Sequence, residues 1–249
     1  MDPSLKQIDN KGSPVYYRFI DRGAEDTVVF VHGLFSSSSI FRHFADLVDK
    51  NVILVELRGI VYSAIQKPFI KNYVEDIRLI LEKEGVRKNI ILVGYSLGCA
   101  IANRFAEDFG SLVKKVVMLS PINQTLQNIG VRRMATTLIE GLGKDFFKKW
   151  REYLGLEGYW PKYKIFSLSN LKLLRESYKT IEFTENCGIV ILNGLKDTFF
   201  DANDHRLKAP NIVRETIEDV DHFLFLTSER IEKVGDRLIP LLETAEIEN

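Results

Sequence analysis

The sequence predicts an α/β fold in which a mostly parallel central sheet carries helices on both faces. Short apolar runs rich in β-branched residues alternate with longer stretches of helical periodicity along most of the 249 residues. The alternation breaks once, at residues 124–186, which lack buried-strand runs and are dense in aromatic and basic side chains. We therefore expect residues 1–123 and 187–249 to form the core, with 124–186 inserted as a helical cap.

The first half of the chain contains three strand-like runs, and helical stretches follow the second and third of them. A helix should begin at Ser38 or Ser39, because a serine can cap the apolar helical pattern that follows. A second helix should stop at Gly85, which ends an amphipathic stretch. The expected elements are an edge strand at 15–20, buried strands at 27–31 and 51–57, and helices after Ser38 and at 71–84.

The second half repeats this alternation on both sides of the expected cap. A β-branched apolar run leads into a helix-compatible stretch, and a further strand closes at Ser120. Beyond residue 186, strand-like patterns return twice before a final amphipathic helix. The expected elements are strands starting at Ile90 and at 113–119, 188–192 and 211–217, and helices at 99–109 and 228–242.

Composition argues against several classes of function. The 34 Lys and Arg balance 34 Asp and Glu, so no net field attracts nucleic acid or an anionic membrane. No apolar run reaches the length of a membrane span, and the N-terminal residues are polar, so a cytoplasmic protein is expected. The two cysteines, Cys99 and Cys187, have neither metal-ligand spacing nor a disulfide framework. We expect no metal and no organic cofactor.

A serine at a tight turn is the first candidate for chemistry. The stretch Gly94-Tyr95-Ser96-Leu97-Gly98 follows a predicted strand and precedes a predicted helix. In this context G-x-S-x-G holds a nucleophile on a strained turn above the sheet, where its neighbours must be small. The following helix directs backbone N–H groups and a positive dipole end toward any oxyanion formed there.

An acid and a base follow Ser96 in the chain, each after a predicted strand. A serine hydroxyl needs a base that titrates near neutrality, and histidine suits that role. His222 is the best base, because His43 and His205 lie at polar positions and His32 is better explained as a residue that structures its loop. Asp197 is the favoured acid, which would fix the imidazole tautomer. Asp201 and Asp221 remain as alternatives.

With these motifs in view, the chain resembles a capped α/β-hydrolase of the serine esterase type. The resemblance rests on His32-Gly33, the Ser96 pentapeptide, Gly194-x-x-Asp197 and the isolated His222, and covers about residues 25–243. It implies catalytic roles for Ser96, Asp197 and His222, and an oxyanion hole from the backbone N–H groups of Leu34 and Leu97. The family usually carries Asp where Glu56 precedes x-R-G, and glycine where Val61 follows, so this chain departs from the pattern in that loop.

The resemblance also implies a reaction and a substrate class. We expect hydrolysis of carboxylic esters through an acyl-enzyme on Ser96, with a small-molecule ester as the partner. Phe35, Phe223 and Trp150 are the candidate lining of an apolar acyl pocket, which favours short-to-medium uncharged acyl chains. A C–C bond hydrolase, thioesterase or lyase could use the same three residues, and a binding protein without turnover is the alternative outside enzymes.

Overall fold

The architecture is an eight-stranded sheet flanked by helices, as seen in a computed structural model that describes residues 4–34, 36–59, 69–124, 182–225 and 227–244. The strands are Lys6–Asn10, Ser13–Ile20, Thr27–Val31, Asn51–Glu56, Ile90–Tyr95, Val113–Leu119, Gly188–Gly194 and Ile212–Ile217, numbered β1 to β8 in that order. Within the described ranges their order in the sheet is β1-β2-β4-β3-β5-β6-β7-β8. Pairing is antiparallel for β1 with β2 and for β2 with β4, and parallel for all the others. The predicted mostly parallel sheet is confirmed.

Helices cover both faces of this sheet. In the described ranges the α-helices are α1 (Arg42–Leu47), α2 (Ile70–Lys83), α3 (Leu97–Phe109) and α4 (Ser228–Glu243). Apolar residues of α2 and α3 pack on one face, and those of α1 and α4 pack on the other. Along β3 successive side chains alternate between these two layers, as the two-residue period of a strand requires.

Two predicted elements differ from the structure. The strand at 15–20 is an inner strand rather than an edge, because β1 pairs outside it; the polar sequence of Lys6–Asn10 gave no strand signal. The helix expected to be capped by Ser38 or Ser39 begins as a 3-10 turn at Ser38–Phe41 before α1. The Ser38 hydroxyl donates to the carboxylate of Glu56, so it does not cap the helix. The other predicted boundaries agree within two residues.

The cap at 124–186 lies almost entirely outside the described residues, which include only 124 and 182–186 of it. Two candidate pocket residues, Phe35 and Trp150, also lie outside them. The cap and these two assignments therefore stay predictions. Among the helices that the structure describes, none is long and apolar enough to cross a membrane.

Candidate active site

Ser96 lies at the sharp turn between β5 and α3. Its backbone has φ 52° and ψ −114°, which a residue with a side chain adopts only under strain, typically of about 1–3 kcal/mol. Both flanking positions must be glycine, because neighbouring backbone atoms lie where a side chain would begin. A methyl group at Gly98 would collide with the carbonyl of Val31, and one at Gly94 would collide with the carbonyl of Gly98. The pentapeptide thus has the tight geometry expected of a nucleophile turn.

Three predicted side chains meet in a single hydrogen-bonded chain. His222 Nε2 lies 3.0 Å from Ser96 Oγ, and His222 Nδ1 lies 3.0 Å from Asp197 Oδ2. The Asp197 side chain is fully buried and that of His222 is 7% exposed, whereas Ser96 is only half-buried. An ionised Asp197 accepts a hydrogen bond from Nδ1–H and leaves Nε2 free to accept the Ser96 proton. The arrangement can activate the serine hydroxyl.

Further contacts fix the acid and the base in place. The second oxygen of Asp197 accepts a hydrogen bond from Phe199 N–H at 2.9 Å. The Tyr95 hydroxyl donates to the backbone carbonyl of His222 at 3.0 Å, and burial raises the pKa of Tyr95 well above its usual range, so that it stays a neutral donor. The ring of Phe199 lies 4.7 Å from the imidazole, centroid to centroid. These contacts leave His222 little freedom to rotate away from Ser96.

The competing carboxylates are engaged elsewhere. Asp201 is exposed and accepts a hydrogen bond from Asn203 N–H at 2.9 Å. Asp221 pairs with Arg230 at 2.8 Å, although it is adjacent to His222 in sequence. Of the three aspartates that the sequence left open, the structure brings Asp197 to the imidazole.

The remaining histidines lie away from this chain of hydrogen bonds. His32 is completely buried; its Nδ1 lies 2.7 Å from the Gly33 carbonyl, and its Nε2 accepts a hydrogen bond from Leu57 N–H at 3.1 Å. It therefore structures the loop after β3, as the sequence predicts. His43 and His205 are exposed.

The two proposed oxyanion donors belong to segments that adjoin Ser96. Leu97 is the first residue of α3, and the first N–H groups of a helix have no acceptor within it. Leu34 follows Gly33, where an added methyl group would lie 3.2 Å from Ser96 Cβ. Both leucine side chains are buried, so only their backbone groups could serve a substrate. Their role stays a prediction.

Sequence reasoning missed several residues around the imidazole. Tyr95 is the variable second residue of the pentapeptide, and Phe199 sits in a loop without a recognisable pattern, so neither gave a signal. Arg230 is the third such residue, since it donates to both Asp221 and the Phe223 carbonyl. The half-buried Phe223 itself, a predicted pocket residue, has its ring 5.8 Å from that of His222.

In the described ranges no group of three or more His, Cys, Asp or Glu side chains could hold a metal ion.

Comparison with known proteins agrees with this geometry. The α/β hydrolase fold family matches residues 26–136, which include the turn at Ser96. The strand order, the strained serine and its histidine partner fit the same fold. The chain therefore has the α/β-hydrolase fold.

Individual relatives are all distant. An uncharacterized hydrolase of Bacillus subtilis, YugF, is 31% identical over 160 residues, which cover 62% of this chain and 56% of that protein. Ethanol acetyltransferase 1 of Wickerhamomyces anomalus is 32% identical over 108 residues, covering 41% of this chain and 27% of that protein. The matched regions span 24% to 56% of the curated relatives.

Solved structures resemble the chain over nearly its whole length. A structure from a study of Nitrososphaera gargenis carboxylesterases covers 97% of this chain and 98% of its own, with a TM-score of 0.72 and 16% identity. At that identity the likeness shows the fold alone.

Proposed function

We propose that this protein is a serine hydrolase that cleaves carboxylic esters. The observation that carries the proposal is the hydrogen-bonded chain of Ser96, His222 and Asp197, with both links at 3.0 Å. A strained backbone presents the serine, and a buried carboxylate orients the base, which is the arrangement that acyl transfer through a serine needs. The carboxylesterase among the structural neighbours supports the choice of substrate class.

Each residue has one role in the proposed reaction. Ser96 Oγ attacks the ester carbonyl while His222 Nε2 takes its proton, and Asp197 stabilises the imidazolium that forms. The N–H groups of Leu34 and Leu97 bind the oxyanion of the tetrahedral intermediate. His222 then protonates the departing alkoxide, and an acyl-enzyme remains. Water, deprotonated by His222, attacks this acyl group and releases the carboxylic acid and free Ser96.

The acyl preference follows from the apolar surroundings of His222. Phe199 and Phe223 lie against the imidazole, and Arg230, a cation close to it, is already paired with Asp221. Because each buried methylene contributes about 0.8 kcal/mol, efficiency should climb by up to about 15-fold per two added carbons until the pocket is full. We infer a preference for short-to-medium acyl chains, with Phe35 and Trp150 as further lining residues.

A panel of substrates tests the reaction class. Initial rates are measured with p-nitrophenyl esters of increasing acyl length, an emulsified long-chain triglyceride, matched thioesters and a vinylogous 1,5-diketone as a C–C substrate. Ser96→Ala is the control for turnover that does not use the serine. A burst of p-nitrophenol before steady state would support an acyl-enzyme.

The outcomes separate the candidate functions. Highest kcat/KM on soluble short-to-medium esters supports the proposal. Faster cleavage of the thioester or the diketone assigns the site to those reactions, and a preference for the emulsion indicates a lipase. Binding of esters without turnover by folded protein contradicts the proposal and leaves a binding protein.

A further inference from the structure

A buried polar cluster lies behind the loop that joins β3 to the 3-10 turn. It consists of Arg18 on β2, His32 at the start of the loop, Ser38 at its end and Glu56 at the end of β4. All four residues are buried, with exposures of 6%, 0%, 0% and 3%. Burial of a charged pair costs free energy unless its partners are well placed, so the function of this cluster needs an explanation.

The Glu56 carboxylate binds the far end of the loop through both of its oxygens. Its Oε1 accepts hydrogen bonds from Ser38 Oγ at 2.5 Å and from Arg18 Nη1 at 3.2 Å. Its Oε2 accepts from Ser38 N–H at 3.3 Å. Arg18 also donates to Ser38 Oγ at 3.1 Å, so the pair encloses this serine. Ser38 is thereby fixed relative to the central sheet.

The start of the loop, at His32, is hydrogen-bonded to the chain just after β4. Leu57, the residue after Glu56, donates its N–H to His32 Nε2 at 3.1 Å. Because Nε2 accepts this bond, the His32 proton resides on Nδ1, which donates to the Gly33 carbonyl at 2.7 Å. Glu56 Oε2 lies 3.5 Å from Nε2 and completes the cluster. Residues 56 and 57 therefore contact both ends of the loop.

Leu34 lies between these two anchored ends. Its N–H is one of the two oxyanion donors in the proposed reaction, and the preceding Gly33 approaches Ser96 closely. A donor stabilises the oxyanion only if its position is fixed before the charge develops. Displacement by about 1 Å can lower a rate by about 100-fold.

We propose that Glu56 is a positioning residue for the oxyanion hole: it anchors Ser38 and so holds the loop that carries Leu34 against Ser96. This inference rests on the proposed function. Glu56 acts through the loop and does not touch the substrate.

Ionisation of Glu56 is compatible with this role. An ionised carboxylate can accept the three hydrogen bonds that Ser38 Oγ, Ser38 N–H and Arg18 Nη1 donate to Glu56. In Glu56→Gln the amide N–H₂ would face either Ser38 N–H or the Arg18 and Ser38 Oγ donors, so at least one of these bonds is lost.

The test compares Glu56→Gln with a control that loses a buried carboxylate elsewhere. Asp76 is 2% exposed and binds Arg58 through Nε at 2.8 Å and Nη2 at 2.7 Å, so Asp76→Asn also breaks a buried ion pair. For each variant kcat and KM are measured on the best p-nitrophenyl ester at a temperature well below its own unfolding transition. The inhibition constant of a trifluoromethyl ketone, whose serine adduct places an oxyanion in the hole, is measured alongside.

We expect Glu56→Gln to lower kcat by about 10-fold to 100-fold with little change in KM, because only the transition state carries the oxyanion. The ketone should bind more weakly by a comparable factor, and Asp76→Asn should keep both constants within about threefold of wild type. Ser38→Ala, which removes one hydroxyl, should lower kcat by several-fold and provides the test if Glu56→Gln does not fold.

Two results would overturn the inference while leaving ester hydrolysis intact. One is an active wild type in which Glu56→Gln, or Ser38→Ala in its place, lowers only thermal stability. The other is an equal loss of kcat and of ketone affinity in Asp76→Asn. A wild type that neither hydrolyses esters nor binds the ketone would instead refute the proposed function.

Discussion

Replacing Asp197 by Asn should disable the base by reversing its tautomer. Asp197 Oδ1 accepts from Phe199 N–H at 2.9 Å, and an asparagine would keep its oxygen on that donor. Its N–H₂ would then face His222 Nδ1, at the position where Oδ2 now lies 3.0 Å away. Nδ1 would have to accept, so the proton would move to Nε2, where it points at Ser96 Oγ. An imidazole in this form cannot take the serine proton.

The expected loss is large and specific to this carboxylate. We expect kcat/KM to fall by about 10³-fold to 10⁴-fold, or about 4 to 5.5 kcal/mol of transition-state stabilisation, because a wrong tautomer has this effect in other Ser-His-Asp enzymes. Rates on a p-nitrophenyl ester and thermal unfolding would be measured together. Asp201→Asn and Asp221→Asn are matched controls and should stay within about tenfold of wild type. The reasoning is refuted if folded Asp197→Asn retains activity within that range, or if Asp201→Asn is the damaging change.

Three further predictions concern the nucleophile, the turn and a buried lysine. Ser96→Ala should fold normally and lose about 10⁴-fold or more in turnover, and an organophosphonate should label wild type once, on the Ser96 peptide; labelling elsewhere would contradict the assignment. Gly98→Ala should drive a methyl group into the Val31 carbonyl and cost about 1–3 kcal/mol in urea unfolding, and an unchanged midpoint would be inconsistent with this packing. Burial lowers the pKa of Lys115, so between that lowered pKa and the ordinary value the unfolded state binds more protons. The stability of wild type relative to Lys115→Met should therefore rise with pH across this interval in urea titrations, and a constant difference would count against it.

Local sequence patterns were sufficient to predict those strands and helices whose own residues carry the periodicity or the stop signal of the element. The strands at Thr27–Val31 and Val113–Leu119 are apolar along their length, and the helix at Ile70–Lys83 shows its own period and stop signal. The turn at Ser96 was equally predictable, because its glycines are demanded by steric contacts within a short segment and with the neighbouring strand. The chain order of Ser96, Asp197 and His222 fixed the candidates for the site.

Other features depended on groups that are distant in sequence. Strand Lys6–Asn10 exists because Ser13–Ile20 provides a hydrogen-bonding edge, which its own polar residues do not reveal. Ser38 binds a carboxylate 18 residues away, so its capping preference was overridden and the helix begins as a 3-10 turn. The proposed positioning role of Glu56 also depends on groups that are distant in sequence. The sequence shows only that Glu56 stands where the family usually carries Asp, whereas the structure shows its contacts with Arg18, His32 and Ser38.

The sequence by itself determined the fold class and the serine and histidine of the candidate site, because strand period, helix period and a steric turn motif are local properties. It favoured Asp197 as the acid but kept Asp201 and Asp221 as alternatives, because each of them also follows a predicted strand. Only the tertiary structure decided which of them meets the imidazole: Asp201 binds Asn203 N–H, Asp221 binds Arg230, and Asp197 reaches His222. The physical reason is that a hydrogen bond needs atoms about 3 Å apart, and that distance is set by how β7 and β8 pack side by side, which no local pattern encodes.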